Sequence, residues 1–383
     1  MSCRVRRECS FWDTLAPSMF LAAKFPPPRR YRACHRKQPL QIIPGSTYLA
    51  ATGTYHRWLE SALSPEGEFM LITSYLDTDT QRQPAGVAET RPSAVPNWLV
   101  HRPATSEVFL SSWERTGTDR FKVTLRWPEN HPFHTALHGF RSPTLIAEAI
   151  RQAGILISHA EFGVPLGHHF LMSDLNYTIE PELLDAADES PVYIDVTCSA
   201  IRRRGTRFAG MTCHMALVRD GRVIATGDGS LTCTSPAAYR RMRGAYADAR
   251  PLLPVPEPVH PALVRRTEPS DVLLAPTRDP RCWTLRAHTT NTTLFSRPND
   301  HIPGMVLMEA THQAAFAVAG STRLYPTSLR LAFDRYAEFN SPCLIQAQPV
   351  TRAKDNTLSL SVTGHQSGRR VFLALLEGIP VSA

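Results

Sequence analysis

The sequence predicts an α+β chain in which one long apolar helix and one antiparallel sheet occur twice in tandem. Apolar residues recur at helical spacing over 145–160 and again over 305–318. Both segments carry a glutamate with a glutamine four positions later, and Glu148 and Glu309 lie 161 residues apart. Strand-like alternation follows each helix. A long central helix wrapped by an antiparallel sheet, present twice, predicts a tandem (double) hotdog.

The first repeat begins with a strand over 121–127, where apolar and polar residues alternate until Pro128. Ser142 and Pro143 predict the start of the long helix, with Ser142 as its N-cap, because proline at the first helical position sacrifices no hydrogen bond. Asp220-Gly221 predicts a hairpin turn between the last two strands. The remaining predicted strands are 170–177, 192–198, 211–218 and 223–231.

The second repeat follows the same plan, with a helix over 305–318 and a hairpin turn at Ser367-Gly368. The loop 291–295 occupies the place that 131–133 has in the first repeat. The predicted strands are 282–288, 328–333, 343–349, 358–363 and 371–376. Because the order of elements is the same in both halves, the chain is predicted to hold two equivalent units.

The domain organisation follows from composition. Residues 1–95 form a basic, proline-rich stretch with little periodicity, which predicts a disordered extension. The first hotdog is predicted at 96–234 and the second at 276–383. Between them, five prolines within eleven residues predict a stiff linker over 235–275. The tandem pair is compatible both with acting alone and with pairing further.

Charge and cysteine content restrict the classes of function. Nine of the basic residues, against two acidic ones, lie in residues 1–45, so the rest of the chain carries only +1 of the net +8. A near-neutral folded part disfavours nucleic-acid binding. Apolar runs are too short for a membrane helix. The eight cysteines form no C-x-x-C pair, which predicts reduced thiols, a cytoplasmic location and no metal. Without a dinucleotide or phosphate-loop motif, no cofactor is predicted.

Polar side chains on the two apolar helices are the candidate chemistry. Positions i, i+3 and i+4 share one face of a helix. The two triplets are Glu148, Arg151, Gln152 and Glu309, His312, Gln313. Burial of an ionised carboxylate is costly, so the pattern predicts a raised pKa suited to a general base at Glu148. At the second helix, Gly304 permits a close backbone approach, and the first amides can polarise a carbonyl oxygen.

Several runs resemble the A-factor biosynthesis hotdog family. They include IAEAIRQ at 146–152 and DHIPGM at 300–305. The other runs are 101–102, 107–110, 131–133, 161–167, 239–244 and 335–343. The resemblance covers about residues 96–380 in order. It implies a double hotdog that transfers a β-ketoacyl chain from acyl carrier protein to dihydroxyacetone phosphate, the first step in the synthesis of a γ-butyrolactone autoregulator.

The resemblance also implies roles for individual residues. Glu148 matches the essential glutamate of the family and would deprotonate the triose hydroxyl. Arg151 would hold the phosphate, and Gly304 would mark the helix start at the thioester carbonyl. Glu309 and His312 occupy catalytic positions in the second helix. The remaining matched substrate-binding positions are Gln152, Gln313 and His131.

The second repeat departs from the family pattern at two positions, which leaves other functions open. His312 stands where the family has arginine, and Asn291 stands where it has histidine. One alternative is a non-catalytic acyl-binding regulator. Another is a hotdog dehydratase or thioesterase acting on acyl carrier protein. Against the dehydratase, the position of its histidine, fourteen residues before the helix glutamate, is Phe295 here.

Overall fold

The structure is a computed structural model that describes residues 95–350 and 357–382. The predicted disordered extension, residues 1–95, therefore lies almost wholly outside the described residues. The elements of the first repeat are β1 (Leu110–Gly117), β2 (Arg120–Leu125), α1 (Pro143–Ala160), β3 (His169–Ile179), β4 (Tyr193–Arg204), β5 (Arg207–Arg219) and β6 (Arg222–Thr234). Every strand predicted in this half is present, and the helix begins at Pro143 as expected.

The second repeat matches its prediction equally well. Its elements are β7 (Leu274–Pro276), β8 (Cys282–Leu285), α3 (Gly304–Ala319), β9 (Leu324–Phe333), β10 (Cys343–Pro349), β11 (Leu358–Gln366) and β12 (Arg369–Pro380). Both predicted hairpin turns are confirmed. Asp220-Gly221 and Ser367-Gly368 have positive φ at both central residues, the backbone that such a turn requires.

All twelve strands form one antiparallel sheet, which confirms the double hotdog. Its order is β1-β2-β4-β5-β6-β3-β9-β12-β11-β10-β8-β7. The repeats join where β3 pairs with β9, from Asp174 opposite Ala332 to Thr178 opposite Ser328. Helix α1 packs on the sheet of the first repeat and α3 on that of the second. The described residues, 95–350 and 357–382, belong to one compact unit, so the repeats share a single core.

Helix α1 begins where the sequence predicts, but its N-cap differs from expectation. Ser142 was predicted as the N-cap of α1, but its side chain makes no capping hydrogen bond; its Oγ lies 2.8 Å from Thr144 Oγ1 instead. The interior residues of both helices are almost all buried. No helix within the described ranges is long and apolar enough to cross a membrane.

The segment predicted as a linker, 235–275, differs from that prediction at both ends. It opens with the helix α2 (Pro236–Arg243), capped by Ser235, whose Oγ accepts from the Ala238 amide. It closes inside β7, where Leu274 is fully buried and pairs with Leu285. The many prolines obscured both elements in the sequence. Strand β1 was missed because it is an edge strand with a half-exposed, irregular burial pattern.

Candidate active site

The Glu148 carboxylate, which is 1% exposed on α1, lies between two arginines. Arg102 donates from Nε to Oε1 at 2.9 Å, and its Nη2 lies 2.6 Å from the same oxygen. Arg151, one turn further along α1, donates to Oε2 from Nε and to Oε1 from Nη2, both at 2.8 Å. Gln152 adds a hydrogen bond of 2.7 Å. Every acceptor of this carboxylate is therefore engaged by protein donors.

The predicted raised pKa of Glu148 is wrong. Burial on its own raises the pKa, but the positive charges of Arg102 and Arg151 and their hydrogen bonds outweigh it and hold the pKa well below its ordinary value. The sequence placed Arg151 on the same helix face, but it gave no sign that Arg102, 46 residues earlier, also reaches the carboxylate. Glu148 is thus a permanently ionised anion and a poor proton acceptor.

The second repeat copies half of this arrangement. Arg266 holds Glu309 Oε1 through Nε at 3.0 Å and Nη2 at 2.7 Å, and Gln313 donates to the same oxygen at 2.7 Å. Glu309 Oε2, which is buried, has no hydrogen-bond partner among the described residues. The position that supplies Arg151 in the first repeat is His312 here, and it does not contact Glu309. The second carboxylate therefore has one guanidinium partner instead of two.

The His312 ring contacts the first repeat. Its Nε2 lies 2.6 Å from the Tyr177 hydroxyl, and the two rings stack. Burial, assisted by the charge of Arg266, lowers the pKa of His312 to about 3. The imidazole is therefore neutral near pH 7 and, unlike the arginine at the matching position of the first repeat, carries no positive charge.

Two arginines lock the repeats together by reciprocal hydrogen bonds. Arg102 in the first repeat donates from Nη1 to the carbonyl of Thr293 in the second, at 2.8 Å. Arg266 in the second repeat donates from Nη1 to the carbonyl of Phe133 in the first, at 2.6 Å. Each guanidinium thus binds the helix carboxylate of its own repeat and a loop carbonyl of the other. The two half-sites are related by an approximate twofold axis.

Gln152 and Gln313, predicted to bind substrate, instead brace the helices. The Gln152 side chain donates to the carbonyl of Glu107 at 2.7 Å and accepts from the amide of Phe109 at 2.9 Å. Gln313 makes the same pair of contacts with Asp271 and Leu273. Both side chains are fully buried. The side-chain amides of both residues are therefore engaged by the backbone just before β1 and β7 and by the helix glutamates.

His131, also predicted to bind substrate, orders its own loop. Its Nδ1 accepts from the amides of Phe133 and His134, both at 3.1 Å. Asn291 does the same in the second repeat, where Oδ1 accepts from the Leu294 amide at 2.9 Å. The replacement of histidine by asparagine therefore preserves a loop cap and removes no group from a binding surface.

A cavity of about 800 Å³ opens beside α1 and the start of α3. One wall is apolar and includes Ile150, Met215 and Leu231; several arginines also line the cavity, most of them exposed. Of the predicted site residues, Arg151 and Gly304 line this cavity. The others do not line it: Glu148, Gln152, Glu309, His312, Gln313 and His131. Such a cavity has room for a ligand that is apolar at one end and anionic at the other.

Arg297 is a cavity residue that sequence reasoning missed. It follows the 291–295 loop, is exposed, and forms no ion pair with a carboxylate anywhere in the described part of the chain. Its Nη1 lies 3.5 Å from His101 Nδ1. Desolvation by the surrounding protein and the nearby charge of Arg151 lower the pKa of Arg297. No pattern in the sequence pointed to this residue.

A second hydrogen-bond network lies at the cavity and was not predicted from the sequence. It joins three of the runs that resemble the family. Arg243 of α2 donates to Asp300 from Nε at 2.7 Å and to both oxygens of Glu338 at 2.7 Å. The Tyr239 hydroxyl donates to Asp300 at 2.8 Å, and His301 Nδ1 lies 2.6 Å from the same carboxylate. The runs at 239–244, 300–305 and 335–343 were recognisable in the sequence, but their spatial convergence was not.

Gly304 begins α3 at the cavity wall, as the sequence predicted. The first helical hydrogen bonds are donated by Val306 and Leu307, both to the carbonyl of Pro303, so the amides of Gly304 and Met305 precede them. A Cβ at position 304 would lie 3.0 Å from the Phe333 ring and 3.3 Å from the Met172 methyl group. Only glycine fits this approach without displacing those side chains. Within the described residues, no cluster of three or more metal-binding side chains occurs.

The fold and the cavity together define the class: a tandem hotdog whose interior suits an amphipathic anion. The chain belongs to the A-factor biosynthesis hotdog family, whose profile matches residues 85–235 and 247–381. The sequence resemblance is thereby confirmed. The second match begins at 247, well inside the segment predicted as a linker.

Curated relatives support the same assignment. A protein from Streptomyces virginiae is 46% identical over 285 residues, 74% of this chain and 97% of that protein. Another from Streptomyces coelicolor is 42% identical over 311 residues, 81% of this chain and 97% of that protein. Both are named 2-oxo-3-(phosphooxy)propyl 3-oxoalkanoate synthase.

Solved structures resemble the chain more distantly. A putative oleoyl thioesterase from Lactobacillus plantarum has 11% identity and a TM-score of 0.44, covering 70% of this chain and 99% of that one. The 12:0-ACP thioesterase from Umbellularia californica has 13% identity and a TM-score of 0.43, covering 70% of this chain and 100% of that one. At this similarity, neither structure informs the chemistry of the cavity.

Proposed function

We propose that the protein transfers a 3-oxoacyl chain from a thioester to the hydroxyl of dihydroxyacetone phosphate. The product would be the 2-oxo-3-(phosphooxy)propyl 3-oxoalkanoate after which the relatives are named. We place this reaction at the start of γ-butyrolactone synthesis. The observation that supports the proposal most directly is the cavity, which combines an apolar wall with a cation, Arg297, that forms no ion pair with any carboxylate among the described residues.

Arg151 and Arg297 are the proposed phosphate ligands. The Nε and Nη2 atoms of Arg151 are committed to Glu148, which leaves Nη1 without a partner among the described residues. Arg297 reaches the cavity from the second repeat. The positive charge of Arg151 lies close enough to lower the pKa of Arg297. Two neighbouring cations repel each other, and a dianion shared between them offsets that repulsion. Arginine also suits phosphate because its guanidinium can donate two parallel, charge-assisted hydrogen bonds to it.

The 3-oxoacyl chain is proposed to lie along the apolar wall, between α1 and the sheet. Gly154 faces this space, since a Cβ there would lie 3.7 Å from both the Leu231 and the Met215 side chains. The thioester carbonyl would then point toward the first amides of α3. Those amides, at Gly304 and Met305, supply the kind of positive end that stabilises a tetrahedral oxyanion.

Glu148 is proposed to position the arginines rather than to accept a proton. The sequence analysis assigned it the role of base, but its oxygens are taken by Arg102, Arg151 and Gln152. By pairing with both guanidinium groups, it fixes Arg151 at the cavity wall and Arg102 across the repeat interface. Loss of Glu148 would therefore misplace the phosphate site, which accounts for an essential glutamate without proton transfer.

Acyl carrier protein remains the proposed donor. Arginines at the cavity mouth support this, since Arg240, Arg250 and Arg335 line the opening and are exposed. A basic mouth suits an acidic carrier and the phosphate of its prosthetic arm. The rival dehydratase requires an imidazole near the helix carboxylate. The residue fourteen positions before Glu309 is the buried Phe295; the one before Glu148 is His134, whose Nδ1 lies 3.1 Å from Thr144 Oγ1 and which does not line the cavity.

The test is a product assay with the full chain. A 3-oxoacyl thioester and dihydroxyacetone phosphate are supplied, and mass spectrometry follows the phosphorylated ester. We expect this product from the wild type and its loss in Glu148→Ala. The exposed Arg203, far from the cavity on β4, provides a control, Arg203→Gln, with unchanged turnover. Hydrolysis or an enoyl product in place of the ester would favour the rival enzymes, and binding without turnover would favour a regulator.

A further inference from the structure

A carboxylate and an imidazole form a hydrogen-bonded pair where the chain enters α3. His301 Nδ1 lies 2.6 Å from Asp300 Oδ1, and both residues line the cavity. The His301 side chain is 23% exposed, and its ring meets the edge of Tyr336 with centroids 4.7 Å apart. Its Nε2 has no hydrogen-bond partner within the described residues, although it is not sealed from solvent.

Hydrogen bonds from α2 hold the Asp300–His301 pair in place. Asp300 also accepts from Arg243 Nε at 2.7 Å and from the Tyr239 hydroxyl at 2.8 Å. Arg243 is fixed in turn by the two oxygens of Glu338. Burial raises the pKa of Asp300, but the hydrogen bonds from His301, Arg243 and Tyr239 outweigh it and lower that pKa well below its ordinary value. An ionised Asp300 accepts the Nδ1 proton and leaves a lone pair on Nε2.

The imidazole lies close to the other parts of the proposed site. His301 is three residues before Gly304, whose amide begins α3. His169, on the facing strand β3, is close enough to Arg297, Asp300 and His301 to experience the charge of all three. The cation proposed to bind phosphate and the free Nε2 therefore border one continuous space.

We propose that His301 is the general base of acyl transfer, with Asp300 as its positioning residue. This inference rests on the proposed function. Nε2 removes the proton of the triose hydroxyl as its oxygen attacks the thioester carbonyl. The C–O bond forms, the C–S bond breaks, and the thiolate leaves with the proton returned by Nε2. No oxidant, reductant or further reactant is required for this exchange.

The other titratable side chains of the site are less suitable bases. The Glu148 oxygens are paired with arginines. His101 shares a hydrogen bond of 2.9 Å with His159, and burial together with Arg297 lowers its pKa to about 2. His169 stacks flat on Tyr239 at 3.7 Å and has no carboxylate on its ring nitrogens. Among the described cavity residues, only His301 combines an oriented Nδ1 with a free Nε2.

The experiment compares His301→Ala and His301→Gln with the wild type, using a small 3-oxoacyl thioester so that carrier docking plays no part. We expect the turnover number to fall at least about 100-fold, the usual contribution of a general base. The KM for dihydroxyacetone phosphate should change by less than about threefold. Added imidazole should restore turnover in His301→Ala but not in His301→Gln, whose side chain fills the space. A structural role would not produce that rescue.

His214, exposed on β5 with Nε2 near Ser199, provides the matched control His214→Gln, which should keep wild-type turnover. Retained turnover in both His301 variants, or an equal loss in His169→Gln with imidazole rescue in His169→Ala, would overturn the assignment. These results are read only against a wild type that forms the phosphorylated ester. If the wild type forms none, the proposed function fails first, and the two failures are thus distinguished.

Discussion

Replacing Arg297 by glutamine should weaken binding of dihydroxyacetone phosphate without weakening the fold. The guanidinium forms no ion pair with a carboxylate in the described part of the chain, and it lies near the positive charge of Arg151. Its removal therefore breaks no ion pair, loses only the long contact of 3.5 Å with His101 Nδ1, and relieves a repulsion. In the complex, by contrast, it would contribute one or more charge-assisted hydrogen bonds to phosphate.

The expected change in KM follows from the hydrogen bonds that Arg297 would make only in the complex with phosphate. A hydrogen bond to a charged group contributes about 1.5–3 kcal/mol, and about 1.4 kcal/mol corresponds to a tenfold change in affinity. The KM for dihydroxyacetone phosphate should thus rise about 10- to 150-fold in Arg297→Gln. The unfolding midpoint should stay the same or rise. Arg151→Gln should behave differently, because it also deprives the buried Glu148 of a partner and lowers the unfolding midpoint.

The assay is steady-state turnover at varied dihydroxyacetone phosphate with saturating thioester, alongside thermal unfolding of each variant. Arg203→Gln, remote from the cavity, serves as the charge-matched control. An unchanged KM in Arg297→Gln, with a folded protein, would refute the placement of phosphate at this residue. A rise in KM together with a lower unfolding midpoint would instead show that Arg297 has a structural partner.

Three further changes test the rest of the site. Glu148→Gln should lower the free energy of unfolding by about 3–5 kcal/mol in urea titrations, because Arg102 and Arg151 lose their buried anion. The His312→Asn variant should lose less free energy of unfolding than the wild type when the pH is lowered. The unfolded imidazole binds protons near pH 6.5 and the folded one only near 3, so wild-type stability falls by about 1.4 kcal/mol per pH unit in between. The variant should therefore lose ~2 kcal/mol less between pH 7 and pH 5; an equal loss would show that another group titrates. Gly154→Leu should reduce kcat/KM for a long 3-oxoacyl thioester by at least about tenfold relative to a short one, since the side chain enters the apolar wall.

Sequence reasoning succeeded where one local pattern determines the structure. The apolar periodicity of α1 and α3, and the alternation in the central strands, reflect faces that are buried along their full length. It failed at β1, where an edge strand needs no regular alternation. It also failed at α2, because neighbouring prolines dominated the composition of that segment.

The chemistry was predicted less completely because it depends on contacts between distant residues. Arg151 is one helical turn from Glu148 and was found by spacing. Arg102 reaches the same carboxylate from a separate segment, and it reverses the expected direction of the pKa shift. Asp300 and His301 were noted only within the run 300–305 that resembles the family, since Arg243 and Tyr239, which orient them, come from α2.

The single covalent chain has a consequence for how the two halves can change. In a dimer of identical chains, any replacement alters both half-sites simultaneously. Here a replacement alters one. His312 could therefore arise in α3 while Arg151 stayed in α1, and the reciprocal bonds of Arg102 and Arg266 across the interface would persist. Fusion thus releases each position in one half from the constraint on the matching position in the other, so that the two halves can come to contribute different groups to one site.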